Sequence, residues 1–261
     1  MTRRSKRPTG SRSDERRELP DPPWWNPQRR SGPRNRAPLT RDAIVDAALT
    51  VLDRGGLDAL SMRRVAEELG AGAASLYWHV SGKEQLLTLV LDRVIAEIPL
   101  PDPDPSRWQD QVRQFSRDGR AAFMRYRDVA RASLGRMPEG PNFLRVVEWQ
   151  LSLLRDAGIP PRAAAWFGDV LALYIGAHAL EQTTGVPEHV SGEQAQEMLQ
   201  EYMASLPPEQ FPALLSMMPV VMEGSADERF EFGLDLLIMG LERMAEAEAP
   251  QGRQSHRRRR A

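Results

Sequence analysis

The chain has 261 residues, 41% of them hydrophobic, no cysteine and a formal net charge of −1. Such a chain can bury a sizeable core in one or two domains and cannot be a disulfide scaffold. No uninterrupted apolar run approaches the roughly 18 residues that cross a bilayer, and the basic N-terminus lacks the apolar stretch of a signal peptide. A soluble cytoplasmic protein with no membrane partner is therefore expected. The charge is unevenly placed. Residues 1–37 hold eleven Arg/Lys against four Asp/Glu, the last nine residues hold five Arg and no acid, and residues 38–252 hold nineteen basic and thirty-two acidic residues. Basic ends on an acidic body are a footprint of nucleic-acid contact; tails that only confer solubility are the competing reading.

In chain order, residues 1–37 are rich in Arg, Pro, Ser and Gly and read as a disordered basic arm. Trp24 and Trp25 within it suit a partner-docking site or loose packing on the body, and such an arm can reach a groove of DNA. Thr40 is the first N-cap. Ile44, Ala48, Val51 and Leu52 then recur at helical spacing, and Gly55-Gly56 stops that helix. Asp58 or Ser61 caps a second helix over 62–69 that ends at Gly70, and a third short helix ends in the run 76–80. Two short helices joined by a tight turn are the layout of a helix-turn-helix, whose second helix enters the major groove. Ser81-Gly82-Lys83-Glu84 reads as a capping box for a helix over 83–97. Pro99, Pro101, Pro103 and Pro105 then mark a boundary, so that 38–98 forms a DNA-binding domain.

Ser106–Gln109 reads as a second capping box, opening a helix to about Tyr126, and a short helix follows near 127–135. Pro141 opens another to about Ala157, where Gly158 and Pro160-Pro161 interrupt. Residues 161–184 form a long helix carrying Trp166, Val170, Leu173, Tyr174, Ala177 and Glu181. Ser191–Gln194 and Pro207-Pro208 start two shorter helices. Ser225–Glu228 caps the last helix, 226–247, with the stripe Phe230, Leu234, Leu237, Leu241 and Met244. Gly233 and Gly240 sit seven apart on it. A helical glycine costs up to roughly 1 kcal/mol against alanine, so the pair suggests close approach of another helix backbone, or ordinary packing within the chain. No strand pattern appears. The expectation is an all-α fold with a second domain over 106–247 and a disordered basic tail over 248–261.

Residues 40–94 resemble the DNA-binding domain of the tetracycline-repressor (TetR) family. The resemblance is carried by Ala66, Leu69 and Gly70 at the turn, the Leu-Tyr-Trp-His-Val run 76–80, Lys83 and the leucines after it. It extends through Ser106-Arg107-Trp108-Gln109-Asp110, Tyr126-Arg127-Asp128 with Leu134-Gly135, and the run 232–242. It implies a homodimeric repressor whose C-terminal helical domain binds a small-molecule effector and dimerises, releasing a palindromic operator when the effector binds. Two helices per subunit form the dimer interface in this family, here 161–184 and 226–247, with Val170, Ala177, Gly233, Leu237, Gly240 and Leu241 as its expected residues.

At the DNA site, Ala73, Ala74 and Ser75 open the recognition helix, where small side chains admit the backbone to the groove. Alanine offers apolar contact to a thymine methyl, and Ser75 can donate or accept. Arg63, at the start of the helix before it, can hydrogen-bond a guanine edge or a phosphate; the family position implies a base. Tyr77, His79 and Lys83 suit phosphate contacts that set register. Trp78 belongs to the same run and is expected to brace the helix against the domain.

The expected effector-binding set is Phe115, Ser133, Met137, Phe143, Trp149, Trp166, Tyr174, His178, Glu181, Met217 and Met218; aromatics and methionines make adaptable walls, though a core filled by its own side chains explains any single one. The magnesium–drug chelate site of the tetracycline branch is not reproduced. Ser133 stands where the chelate's histidine is expected, Met137-Pro138 replaces an Arg-Pro step, the position at the end of the fourth helix falls near Pro99, and Glu181 alone matches. A more hydrophobic ligand, no cofactor and no metal are expected. In the implied switch, ligand moves the segments over 107–137, the fourth helix swings, and the separation of the two recognition helices changes. Four histidines (79, 178, 189, 256), no Gly-rich phosphate loop and no Ser-His-Asp arrangement argue against an enzyme. A ligand-free architectural DNA binder, and an activator of the same fold, are the alternatives.

Overall fold

The computed structural model describes residues 39–136, 139–184 and 192–248, and every regular element among them is helical. The basic arm with Trp24 and Trp25, the C-terminal tail with His256, and Met137, His189 and Ser191 lie outside the described residues.

The first helix, α1 (Arg41–Ala59), starts where Thr40 Oγ1 accepts the Ala43 N–H at 3.1 Å. The break expected at Gly55-Gly56 is a kink followed by one more turn, because Gly56 takes φ 70°, which side-chain-bearing residues avoid. Ser61, not Asp58, caps α2 (Met62–Glu68), its hydroxyl accepting from Arg64 N. The recognition helix α3 (Ala73–Leu76) is a single turn, and α4 (Lys83–Ile95) follows. The box expected at Ser81–Glu84 does not form. Gly82 is the N-cap, Gln85 Oε1 accepts the Ser81 N–H at 2.6 Å, and Glu84 pairs with Arg136 instead.

The box expected at Ser106–Gln109 is also replaced. Asp104 accepts from both the backbone and hydroxyl of Ser106 and caps a 3-10 turn (Pro105–Arg107), while Gln109 donates to Glu242 at 2.8 Å. The chain continues through α5 (Trp108–Arg125), α6 (Val129–Ser133), α7 (Pro141–Asp156), α8 (Pro161–Thr184), α9 (Gly192–Ala204), α10 (Pro212–Met222) and α11 (Ala226–Glu248). Pro212, not Pro207-Pro208, opens α10, with Pro207 accepting in the turn before it. The box at Ser225–Glu228 does form: Ser225 N–H donates to Glu228 Oε2 at 2.6 Å and Glu228 N–H to Ser225 Oγ at 3.2 Å.

Ile44, Leu52, Val65, Leu76, Leu86 and Val90 fill the core around α1–α4, and Val112, Leu153, Leu171, Phe230, Leu234 and Ile238 fill that of the C-terminal helices. The two are continuous. Each such side chain contributes roughly 1.5–3 kcal/mol by leaving water.

Two helices depart from the sequence expectation. Residues 161–183 of α8 are, by length and mean hydropathy, apolar enough to span a membrane. Their burial pattern explains why: Ala164, Phe167, Leu171, Ile175 and Ala179 face this chain's own core, while Trp166, Val170 and Leu173 on other faces are exposed. On α11 the stripe from Phe230 to Met244, whose spacing suits bundle packing, is largely internal, which limits what Leu237 and Leu241 can offer a second copy. Phe230, Leu234 and Leu241 are buried within the chain, Leu237 is half-buried and Met244 exposed. The outward stripe is Phe232, Leu236 and Met239. The glycines divide as well. A Cβ on Gly233 would stand 2.3 Å from Tyr174 Oη, so the approaching group there is a side chain of α8 in the same chain. Gly240 has open space.

Candidate functional site

The turn between α2 and α3 depends on Gly70 at φ 60°, with Ala71 N–H donating to Ala66 O at 2.8 Å. Leu76 and Val80, both at 0% exposure, pin α3 to the domain. The opposite side of that turn is free. Ala74, Ser75, Tyr77 and Trp78 are exposed, and Ala73 and His79 are half-buried. Trp78, at 51% exposure, is not a brace; Leu76 and Val80 hold α3, which frees both Trp78 and Tyr77 (52%) for an external surface. Arg41 Nε donates to His79 O at 3.4 Å and ties the end of the unit to α1. Arg63 is exposed, 3.5 Å from Glu67 one helical turn on. Lys83 is half-buried, and its ammonium donates to Leu57 O at 3.3 Å, a carbonyl beyond the α1 kink. With three N–H donors, Lys83 can hold this carbonyl and still offer hydrogens to a phosphate.

This unit is fastened to the C-terminal helices at two places. At the first, Asp128 has φ 60°, the only positive value among described non-glycine residues. Its Oδ2 accepts the Leu57 N–H at 2.7 Å. Gly56 makes this possible, since a Cβ there would stand 2.5 Å from Asp128 Oδ2. Arg127 N–H donates to Asp53 Oδ1 at 3.2 Å, and Arg131 lies 3.4 Å from Asp58. The second fastening runs along α4. Glu84 pairs with Arg136, which holds the exposed Glu84 carboxyl below its ordinary pKa. Glu97 accepts from Tyr126 Oη at 2.6 Å and also pairs with Arg125. Between them Asp92, 3% exposed, accepts from Asn142 N (3.1 Å), Phe143 N (3.1 Å) and Asn142 Nδ2 (2.7 Å). A side chain of α4 thus caps the N-terminus of α7. Burial raises the Asp92 pKa, and these hydrogen bonds pull it back.

The expected effector residues separate into several places. Phe115 and Trp149 are buried and in ring contact at 5.2 Å, and Trp149 Nε1 donates to Pro101 O at 2.7 Å, which makes that tryptophan a strut. Phe143 is half-buried, and its backbone N–H donates to Asp92. Ser133 donates to Ala130 O at 2.8 Å and faces Gly176 of α8. Trp166 is exposed, with the Arg162 guanidinium 4.0 Å from its ring centre. Met218 lines a cleft of about 220 Å³ between α9 and α10, and Met217 is exposed nearby. Tyr174 and His178, in ring contact at 4.6 Å, line a groove of about 600 Å³ with Glu223, Glu228, Phe232 and Leu236. Glu181 is exposed, 3.9 Å from His178 Nδ1. No group of three metal-ligating side chains occurs among the described residues.

Sequence reasoning missed Arg41, Asp92, Asp128 and the outward stripe of α11. Only the last left a readable trace, as Phe232, Leu236 and Met239 repeat at steps of four and three.

A helix-turn-helix unit with its recognition turn exposed, fastened to a larger all-helical domain, defines a DNA-binding regulator. Comparison with known proteins places it further. Residues 44–90 match the family model described as "Bacterial regulatory proteins, tetR family", and residues 100–245 match "Tetracyclin repressor-like, C-terminal domain". An "HTH-type transcriptional regulator" of Saccharopolyspora erythraea is 32% identical over 84% of this chain and 90% of its own length. The class C tetracycline repressor protein of Escherichia coli is 31% identical over 79% of this chain and 92% of its own. Among solved structures, apo ActR of Streptomyces coelicolor superposes with a TM-score of 0.75 at 43% identity, covering 82% of this chain and 100% of ActR. ActR in complex with actinorhodin gives 0.74 at 44% identity, covering 80% and 99%. The chain belongs to the TetR family of transcriptional regulators, which bind DNA and small-molecule effectors and are not enzymes.

Proposed function

We propose that the protein is a cytoplasmic repressor that binds a palindromic operator as a homodimer and is released by a small, largely hydrophobic effector. The observation that carries the DNA reading is the division within one turn of helix: Leu76 and Val80 are sealed in the core while Ala74, Ser75, Tyr77 and Trp78 stand free. That arrangement suits a groove on one side and a rigid support on the other. Ala73, Ala74, Ser75 and Arg63 are read as base contacts, and Tyr77, Trp78, His79 and Lys83 as backbone contacts.

The second copy is inferred from the apolar residues that α8 and α11 turn outward. Monomers rarely expose contiguous apolar patches of this kind. Val170, Leu173 and Ala177 on α8 with Phe232, Leu236, Met239 and Gly240 on α11 are read as the self-complementary face. Gly233, Leu237 and Leu241 support it from within the chain. Of the six residues expected at the interface, Val170, Ala177 and Gly240 lie on this face, while Leu241 is buried and Leu237 half-buried within the chain.

For the switch, the two fastenings supply the coupling: a shift of α6 or α7 acts on α1 through Asp128 and on α4 through Asp92. Domain limits of 38–98 and 106–247, with basic segments at either end, describe this division of labour. The test is footprinting, with fluorescence anisotropy for affinity, of the purified protein on the DNA upstream of its own gene. The account expects one short protected palindrome and affinity that falls steeply with salt as counterions are released. Broad, sequence-indifferent coverage would instead mark an architectural binder, and a reporter assay separates repression from activation.

A further inference from the structure

The DNA-binding domain is short of positive charge. Residues 39–98 hold six Arg/Lys against nine Asp/Glu. Three of the six are paired with acids of the same domain: Arg54 with Glu68 at 2.8 Å, Arg63 with Glu67 at 3.5 Å and Arg93 with Asp46 at 3.2 Å. Two more hold carbonyls, Arg41 that of His79 and Lys83 that of Leu57. Much of the affinity for a duplex comes from cations that displace counterions from its phosphates. A domain with a net excess of acid brings little of that attraction by itself.

The missing charge stands immediately before the domain. Residues 22–40 contain Arg29, Arg30, Arg34 and Arg36 and no Asp or Glu. The point where this stretch joins the body is fixed. Leu39 packs half-buried against the core, Thr40 caps α1, and Arg41 Nε reaches His79 O at 3.4 Å. The chain therefore leaves the body beside the end of the recognition unit, the run where Tyr77 and Trp78 stand exposed. Pro33 and Pro38 disfavour helix at and just before themselves, which suits an extended run. From Arg29 to Thr40 the chain can reach up to roughly 36–40 Å, about one turn of B-DNA. Arg257 to Arg260 match the four arginines in charge, but they follow α11 of the C-terminal domain.

We propose that Arg29, Arg30, Arg34 and Arg36 form a second DNA contact, in the minor groove that flanks the major-groove site of α3. A groove about 6 Å wide admits an extended chain with arginine side chains and excludes a helix. The narrow minor groove of A·T tracts carries the more negative potential and attracts arginine. This contact therefore reads groove width on the flanks while α3 reads base edges. It rests on the reading of α3 as the major-groove helix and adds a contact outside the half-site. The competing place for these arginines is the protein's own acidic surface, where Asp42 and Asp46 stand exposed on the first turns of α1.

The test keeps the full chain and combines Arg29→Gln, Arg30→Gln, Arg34→Gln and Arg36→Gln in one arm variant. A tail variant with Arg257→Gln, Arg258→Gln, Arg259→Gln and Arg260→Gln removes equal charge from the other end. Anisotropy on the DNA upstream of the gene gives affinity at several salt concentrations. Dimethyl sulfate maps the major groove, and hydroxyl radical maps the sugars that line the minor groove. The arm variant is expected to bind at least about tenfold more weakly. Its log–log salt slope should be shallower by at least about 2, since each phosphate neutralised contributes about 0.9. It should lose hydroxyl-radical protection on the flanks and keep the dimethyl sulfate pattern at the centre. A·T flanks should tighten the unaltered chain at least about threefold over G·C flanks and leave the arm variant indifferent. The tail variant should match the unaltered chain. Arm-variant affinity equal to or above that of the unaltered chain overturns the proposal and places the arginines on the acidic body. Flank protection that survives in the arm variant overturns it too, as does an equal loss in the tail variant, which would mark bulk charge. An unaltered chain with no central dimethyl sulfate pattern removes the α3 reading instead, while the flanks still decide the arm.

Discussion

The helix-turn-helix unit and the α8/α11 region solve the same problem in opposite ways. Around α3 the large apolar side chains that support the turn, Leu76 and Val80, are buried within one chain, and the exposed aromatics, Tyr77 and Trp78, have a polar edge or tip. On α8 and α11 the inner faces are buried equally well, but Leu173 and Phe232 remain 64% and 67% exposed with nothing polar to offer water. The first region is complete within a single chain. Under the proposed dimer, the second is completed when the same face of another copy covers it. A protein that needs two recognition helices at a fixed spacing gains from this difference, because pairing the second region sets the spacing of the first.

The sharpest way to break the contrast is to charge the unfinished face. Leu173→Arg with Phe232→Arg should leave each chain folded and yield monomers in sedimentation, with operator affinity lower by at least about a hundredfold as the second half-site is lost. Charging an already isolated surface would change neither.

Next in size is Asp92→Ala. It strips the α7 N-terminus of its acceptor and leaves two backbone N–H groups unpaired, so unfolding measurements should show a loss of about 2–4 kcal/mol. The pH dependence has a definite sign. The folded-state pKa of Asp92 is raised, mainly by burial, so the folded protein holds this proton more tightly than the unfolded chain. Its contribution to stability is fully present below the ordinary carboxylate pKa and lost as pH rises through the raised value. Asp92→Asn should abolish that segment of the pH profile. An unchanged profile would show that another group titrates there.

The glycines sharpen the contrast residue by residue. Gly233→Ala places a methyl against Tyr174 and should cost about 1–3 kcal/mol in thermal or urea unfolding. Gly240→Ala meets open space in the single chain and should raise helix stability by up to about 1 kcal/mol. A loss of dimer affinity in Gly240→Ala would place a partner backbone there; no change would place it elsewhere on α11. The smallest structural change, Asp128→Ala, removes the acceptor for Leu57 N–H. It should alter effector-induced release by roughly 5–150-fold, with little change in DNA affinity when effector is absent.

The sequence made the architecture readable because its signals were local. Helix periodicity, Gly70 at the turn and the real capping box at Ser225–Glu228 need only a few neighbouring residues. The same pattern misled at Ser81 and Ser106, where Glu84 and Gln109 had better partners from distant helices, Arg136 and Glu242. Trp78 was misjudged for a related reason: α3 lasts a single turn, so the helical face expected to carry it inward does not extend that far. The cluster around Phe230 was least readable. Tyr174, His178, Phe230 and Arg120 meet only through the packing of α5, α8 and α11, and no spacing along one helix announces that meeting.

The central claim is that two chains share one duplex through the outward faces of α8 and α11. Sedimentation equilibrium of the protein, alone and with the DNA upstream of its gene, tests it most directly. The account predicts a dimer at micromolar concentration and two chains on each duplex, both lost in the Leu173→Arg, Phe232→Arg variant. A monomer that binds the same duplex with one chain, at an affinity that variant retains, would contradict it.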